Sequence, residues 1–162
     1  MIRQLLATAV LLTAATTPAL AGPPWLSIEL PANPLDASTR GAFLLVHTYH
    51  HDRTVAFPIE ARAEGVVNGE RKTIKLSLEK TSRDGVYALR QAWPKEGEWV
   101  LVITGMPGEG SVTALVSISD GNVRNVRVPS RTVENGRWVV PTQVTQADVE
   151  AELKQLVALA SR

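Results

Sequence analysis

The fold class is decided by residues 68–80, which run Asn68-Gly69-Glu70-Arg71-Lys72-Thr73-Ile74-Lys75-Leu76-Ser77-Leu78-Glu79-Lys80. Ile74, Leu76 and Leu78 alternate with polar residues, which is the period of a strand with one buried and one solvent-facing side. The pair Asn68-Gly69 favours a type I′ hairpin, so a strand near residues 57–67 should fold back onto residues 70–80. Together these signals predict an antiparallel sheet.

Further strand-like segments, separated by Gly, Pro, Asn and Asp, lie on both sides of this hairpin. Strands are predicted over residues 25–30, 42–50, 57–67, 70–80, 86–90, 99–103 and 112–119. Residues 99–103 are apolar at every position, which predicts a central strand covered on both faces. About seven short strands at this spacing predict an all-β, immunoglobulin-like antiparallel β-sandwich over residues 22–140. Pieces near 122–128 and 135–140 raise the expected number to about seven to nine strands.

In the C-terminal unit, residues 145–161, the spacing of apolar residues changes from that of a strand to that of a helix. Apolar residues recur there at helical spacing, namely Val149, Leu153, Leu156, Val157 and Ala160. They predict one amphipathic helix over about residues 146–160. Thr145 and Asp148 have the spacing of a capping box, with Asp in place of Glu. The helix is expected to pack on the sandwich of its own chain; the alternative is that it is held out to meet a partner.

Residues 1–21 have the pattern of a secretory signal peptide. Arg3 supplies the positive charge, residues 5–12 the apolar run, and Ala19-Leu20-Ala21 a small-x-small cleavage site. The alternative is a membrane anchor, which needs about 20 apolar residues, whereas this run is short and Pro18 follows it. We therefore predict a mature chain that begins at Gly22, has no transmembrane anchor, and is exported to a bacterial periplasm or the extracellular space.

Composition and motifs exclude several classes of function. The chain of 162 residues contains no cysteine, which excludes a disulfide framework, a thiolate metal site and a cysteine nucleophile. Its formal net charge of +1 gives no basis for nucleic acid as a partner. The sequence has no Gly-x-Ser-x-Gly elbow, Walker A motif or His-Glu-x-x-His motif. The chain is therefore predicted not to be an enzyme.

All three histidines, His47, His50 and His51, lie within five residues. Imidazole is the commonest metal ligand, and a chain without thiols would use it for copper or zinc. In a continuous strand, however, His50 and His51 point to opposite faces, and His47 lies about 13 Å from His51. Only a bulge or turn at residues 50–52 would bring the rings within reach of one ion. The alternative is a polar strand end without a metal.

Two further residue sets have open interpretations. Trp93 and Trp99 are expected in the core. For Trp25 and Trp138 a core or edge-covering role is favoured, and the alternative is a binding surface. Four cations form a basic stretch that is expected to be a solvated face rather than an anion site: Arg124, Arg127, Arg131 and Arg137.

Residues 84–103 contain Gly85-Val86-Tyr87, followed by Pro94-Lys95-Glu96-Gly97-Glu98-Trp99-Val100-Leu101-Val102-Ile103. This stretch, about 20 residues, resembles small exported bacterial β-sandwiches of the YtkA-like and FixH-like kind, which have relatives among copper-handling periplasmic proteins. The resemblance implies two successive strands of an immunoglobulin-like sandwich. It does not extend to the methionines of the copper-binding members, because Met106 is the only methionine after Met1.

The sequence therefore favours an exported, non-enzymatic binding or accessory module whose partner is an unknown protein or small ligand. A sandwich without a catalytic motif commonly acts through its loops and exposed sheet surfaces. The alternative is a periplasmic copper- or zinc-handling protein that uses His47, His50 and His51.

Cleavage of the leader gives the first testable prediction. The exported protein should have the intact mass of a chain beginning at Gly22, because signal peptidase accepts Ala19-Leu20-Ala21. The variant Ala19→Arg, which places a large cation in the cleavage motif, should retain residues 1–21. An exported wild-type protein that still begins at Met1 would contradict cleavage.

Overall fold

The computed structural model describes residues 22–30, 33, 35–108, 110–133, 136 and 138–160, without the side chain of Trp138. The predicted leader, Met1–Ala21, lies outside these residues. The described chain forms twelve strands, one α-helix and a short 3-10 helix at Ala37–Thr39. The strands and the α-helix are β1 Trp25–Glu29, β2 Leu44–His50, β3 Arg53–Thr54, β4 Ile59–Val67, β5 Glu70–Leu76, β6 Leu78–Lys80, β7 Val86–Leu89, β8 Glu98–Gly105, β9 Val112–Ser119, β10 Asn122–Arg127, β11 Ser130–Val133, β12 Trp138–Pro141 and α1 Gln146–Ala160.

The strands form two five-stranded antiparallel sheets and a separate hairpin. The first sheet has the order β1-β2-β7-β6, with the short β3 paired to β2, and the second has the order β10-β9-β8-β4-β5. These orders correspond to A-B-E-D and G-F-C-C′ of an immunoglobulin domain, with β10 added beyond G. The predicted immunoglobulin-like β-sandwich with one C-terminal helix is therefore confirmed.

The hydrophobic core between the sheets is centred on β8. Trp99, Leu101 and Ile103 are fully buried there and contact side chains from both sheets. Trp99 lies directly opposite Gly65 of β4, where an added Cβ would stand 2.3 Å from the indole ring. The indole therefore occupies the space that any other residue at position 65 would fill.

The strand predicted over residues 70–80 is wrong as a single element. It divides at Ser77, so that β5 belongs to the second sheet and β6 to the first. Ile74, Leu76 and Leu78 nevertheless all contact the core between the sheets. The alternation of apolar and polar residues shows which side chains face the core. It continues unchanged through Ser77, where the chain stops pairing with β4 and begins to pair with β7. The division, the two-residue β3 and the additional strand β11 raise the number of strands above the seven to nine expected.

The predicted hairpin at Asn68-Gly69 is confirmed. Val67 and Glu70 are paired across a two-residue turn. Both turn residues have positive φ, 51° at Asn68 and 80° at Gly69, as a type I′ turn requires.

The helix α1 packs on the outer face of the second sheet. Val149, Leu153 and Leu156 are buried against residues of β8 and β9, namely Val100, Val102 and Leu115. The buried stripe is narrower than predicted, because Val157 is half-buried and Ala160 is exposed. Packing on the same chain is the arrangement expected from the sequence. Within the described residues, no helix is both long and apolar enough to span a bilayer.

The start of α1 is fixed by the predicted capping box. The Thr145 backbone N–H and hydroxyl donate to Asp148 Oδ2 at 2.8 and 2.7 Å, and the Asp148 N–H donates to Thr145 Oγ1 at 3.3 Å. The bonds from the Thr145 backbone and side chain hold the pKa of Asp148 below its ordinary value. These bonds add to the backbone bond from the Asp148 N–H to the Thr145 carbonyl oxygen at 3.2 Å and fix the first turn of the helix.

Acidic side chains of α1 join it to both edge strands of the second sheet. Glu150 forms an ion pair with Arg71 on β5. Glu152 accepts hydrogen bonds from Ser117 Oγ at 2.6 Å and from Arg127 Nε on β10 at 2.9 Å. The helix therefore crosses the sheet and contacts its two outermost strands.

A buried carboxylate lies beneath the start of α1. Glu64 on β4 accepts hydrogen bonds from Arg62 Nε at 2.7 Å, from Gln146 Nε2 at 2.8 Å and from Arg71. Burial alone would raise the pKa of Glu64, but the three donors outweigh it and the pKa lies below its ordinary value. Ionised Glu64 therefore stabilises the docked helix.

Truncation of the helix stripe should destabilise the whole domain. Leu153→Ala removes a buried side chain and should lower the free energy of unfolding by about 2–5 kcal/mol. The matched control is Leu159→Ala on the same helix, where 56% of the side chain is exposed and the change should stay within about 0.5 kcal/mol. Urea unfolding at neutral pH measures both. Equal losses in the two variants would contradict docking of the stripe.

Acid should weaken the same contact. Because the pKa of Glu64 is lowered in the folded state, its contribution is complete above the unfolded pKa and is lost as pH falls through the folded pKa. Glu64→Gln should lower the free energy of unfolding by about 1–3 kcal/mol at pH 7. Between pH 5 and about 3, the variant should lose less stability than the wild type, because it lacks the carboxylate that becomes protonated.

The control for this pH dependence is Glu79→Gln, which removes an exposed ion pair with Arg90. Exposed pairs contribute little, so the variant should unfold like the wild type at both pH values. If Glu64→Gln and the wild type lost the same stability on acidification, Glu64 would not be the group responsible.

Candidate functional site

The outer face of the first sheet is the candidate site. Leu26 and Ile28 of β1 contact the core, so Trp25, Ser27 and Glu29 lie on the opposite, outer side. The matching residues of β2 are Leu45, His47 and Tyr49. The corresponding face of the second sheet is covered by α1.

An apolar patch lies at the centre of this outer face. Leu45, Val86 and Ala88, from the adjacent strands β2 and β7, are buried and contact one another, and Ala42 packs against them. An outer sheet face that only meets water usually carries polar residues at such positions. The chain itself already covers these side chains, so the accessible contact surface of this face lies beside the patch.

Beside the patch, three rings form what we call the aromatic row: Trp25, His47 and Tyr49. All three are half-buried. Trp25 is the direct cross-strand partner of Tyr49, and the rings of His47 and Tyr49 are nearly parallel, with centroids 6.3 Å apart. The row gives the sheet a ridge of rigid side chains that keep part of their surface accessible to a partner.

His47 is held by a carboxylate. Its Nε2 lies 2.8 Å from Glu29 Oε2 on the neighbouring strand. Because a carboxylate oxygen accepts, this contact places a proton on Nε2 of His47. That nitrogen is thereby occupied, and it is not free to bind a metal while the pair is intact.

His50 and His51 lie at a tight turn. Two residues, His51 and Asp52, connect β2 to β3, and both have positive φ, at 52° and 59°. The rings of His50 and His51 are stacked with centroids 4.0 Å apart and an angle of 21° between planes. The turn required to bring neighbouring imidazoles together is therefore present.

The three predicted site residues are thus divided. The turn joins His50 and His51, whereas His47 belongs to the aromatic row and pairs with Glu29. Among the residues that the structure describes, no three His, Asp or Glu side chains are grouped so that they could hold a metal ion together. Metal binding by these histidines stays a prediction.

Tyr49 and Glu29 were not singled out by the sequence. Their signal is the alternation of residues 25–29 and 45–49, which assigns an outer face to each strand. To know which outward residues of β1 and β2 are neighbours, one needs the register of the two strands, in which Trp25 pairs with Tyr49. The connection between these strands is long and has no tight-turn signal from which the register could be inferred.

The other sequence interpretations are answered in part. Trp93 and Trp99 are buried as expected, while the side chain of Trp138 and residue Arg137 lie outside the described residues. Arg124 and Arg131 are exposed. Arg127 is not simply solvated, since its Nη2 lies 2.8 Å from Glu152 Oε2 on α1.

The chain was compared with family models, with curated proteins and with solved structures, and none of the three comparisons gives a match. No relative therefore assigns a role to the outer face or to the histidine turn.

Proposed function

We propose that this protein is an exported, non-enzymatic binding module that contacts a partner protein through the outer face of its first sheet. The observation that carries the proposal is the difference between the two outer faces. The second sheet is covered by α1 of the same chain, whereas the first sheet presents the half-buried aromatic row on its outer face.

The chemistry of the aromatic row supports a binding role. Trp and Tyr supply large contact areas with few rotatable bonds, and they dominate the binding energy of many protein interfaces. The sheet fixes Trp25 and Tyr49 as direct cross-strand partners. Because the sheet already holds these side chains, they would lose little conformational entropy when a partner binds to them.

The shape of the surface favours a protein over a small ligand. Small-molecule sites are usually concave and enclose most of their ligand, whereas the row stands on one face of an antiparallel sheet. The Glu29–His47 pair adds a polar group next to the aromatic rings. An apolar centre with polar groups around it is the usual composition of a protein interface.

Copper or zinc handling is a second candidate function, favoured by the ring pair of His50 and His51. It uses the end of β2, while partner binding uses the strand's outer face. Substitutions can therefore separate the two functions.

Site-specific photo-crosslinking in the exporting cell tests partner binding. A photoreactive residue replaces Ser27, which is exposed between Trp25 and Glu29, and in a control protein it replaces the exposed Lys154 of α1. We expect a defined protein adduct from position 27 and none from position 154. Equal adducts from the two positions, or none from position 27, would contradict the proposal.

Alanine substitution supplies the quantitative prediction. Trp25→Ala and Tyr49→Ala should each weaken binding of the crosslinked partner at least about 10-fold, because truncating an aromatic hot spot costs about 1.4 kcal/mol or more. Leu159→Ala, on the opposite side of the sandwich, should leave the affinity unchanged. Titration of the purified partner, with thermal midpoints to confirm folding, measures both effects.

A further inference from the structure

We propose that His50 and His51 form a binding site for one divalent transition-metal ion, with copper(II) preferred over zinc(II). The site lies at the turn between β2 and β3 and does not depend on the partner-binding proposal. Neutral imidazole nitrogens suit both ions, and nitrogen sites generally bind Cu²⁺ more tightly than Zn²⁺.

The separation of the two rings fits a shared ion. An imidazole nitrogen binds copper or zinc at about 2.0–2.1 Å, which places each ring centre about 3 Å from the ion. Two rings on adjacent coordination positions then have centroids about 4.5–5 Å apart. The observed centroid separation is 4.0 Å and the ring planes are 21° apart, so the two rings are close enough to share an ion once they tilt toward each other out of the stack.

The backbone of the turn is a second, independent observation. His51 and Asp52 are consecutive residues without a glycine in the left-handed region, a conformation that costs a non-glycine residue about 1–2 kcal/mol. The comparable turns at Asn68-Gly69 and Asp120-Gly121 place glycine second. Strained conformations that persist are concentrated at functional sites. Here the strained turn also sets one imidazole beside the other.

The base of the turn is fixed by hydrogen bonds. Thr48 is fully buried, and its Oγ1 lies 2.6 Å from the Val55 carbonyl oxygen and 3.1 Å from that of Gly85. The Val55 N–H donates to the Thr48 carbonyl at 3.0 Å. The two strands that carry the turn are therefore held together directly below it, so the backbone that carries both imidazoles is fixed before any ion binds.

The site is open. Two protein nitrogens leave further coordination positions for water or for a group of another molecule, since copper and zinc take four or more ligands. His47 is not part of it, because its ring lies beside Tyr49 in the aromatic row and, within the described chain, no third His, Asp or Glu is grouped with the pair. An open two-histidine site is suited to exchange of the ion rather than to permanent storage.

The test is calorimetric titration of the mature chain with copper(II) sulfate and with zinc(II) chloride, together with electron paramagnetic resonance of the copper form. We expect one ion per chain and a copper spectrum with nitrogen ligands. His50→Gln and His51→Asn should each lower the affinity at least 10-fold, since each removes one of two ligands. Asn is chosen at position 51 because it tolerates positive φ.

His47→Gln is the matched control and should keep the wild-type affinity. Three results would overturn the proposal: an equal loss of affinity in His47→Gln, wild-type affinity in the double variant His50→Gln/His51→Asn, or no copper binding by the wild type. Unchanged thermal midpoints of the metal-free variants show that any loss of binding is not a loss of fold. Partner binding through Trp25 is measured separately, so either proposal can fail alone.

Discussion

Burial of β8 on both faces is the constraint on which the rest of this structure depends. Trp99, Leu101 and Ile103 face the core between the sheets, while Val100 and Val102 face the opposite way. A two-layer sandwich would leave the second set in water, so the fold needs a third layer. The helix α1 supplies it, and this requirement explains why the C-terminal segment belongs to the domain.

The third layer also makes the two sheets unequal. Once α1 covers the second sheet, the outer face of the first sheet is where the described chain presents Trp25, His47 and Tyr49. The same strand, β2, also ends in the strained turn that pairs His50 with His51. β2 thus contributes to both candidate functions, and they are separate because the aromatic row lies on its outer face while the histidine pair lies at the turn that follows it.

Local patterns predicted the elements, whereas relations between distant residues needed the structure. The helix at 146–160, its capping box and the Asn68-Gly69 turn depend on residues within a few positions of one another, and all are confirmed. At Ser77 the chain passes from the second sheet to the first, but the alternation of apolar and polar residues does not change there, so nothing in the sequence signals the division. The cross-strand pair Trp25↔Tyr49 depends on a register that no short-range signal specifies. For the histidines, the sequence spacing showed that the rings can approach one another only if the chain turns at residues 50–52. The turn is present, and it brings together His50 and His51 but not His47.

The position of α1 after the strands of the sandwich in chain order has a consequence for synthesis. A ribosome produces the strands of the sandwich before it produces Val149, Leu153 and Leu156, so the surface formed by Val100, Val102 and Leu115 stays uncovered during that interval. Nascent chains with exposed apolar sheet surface are prone to aggregate and are bound by chaperones. Docking of the fifteen residues of α1 therefore covers this apolar surface only after the strands of the sandwich have been made.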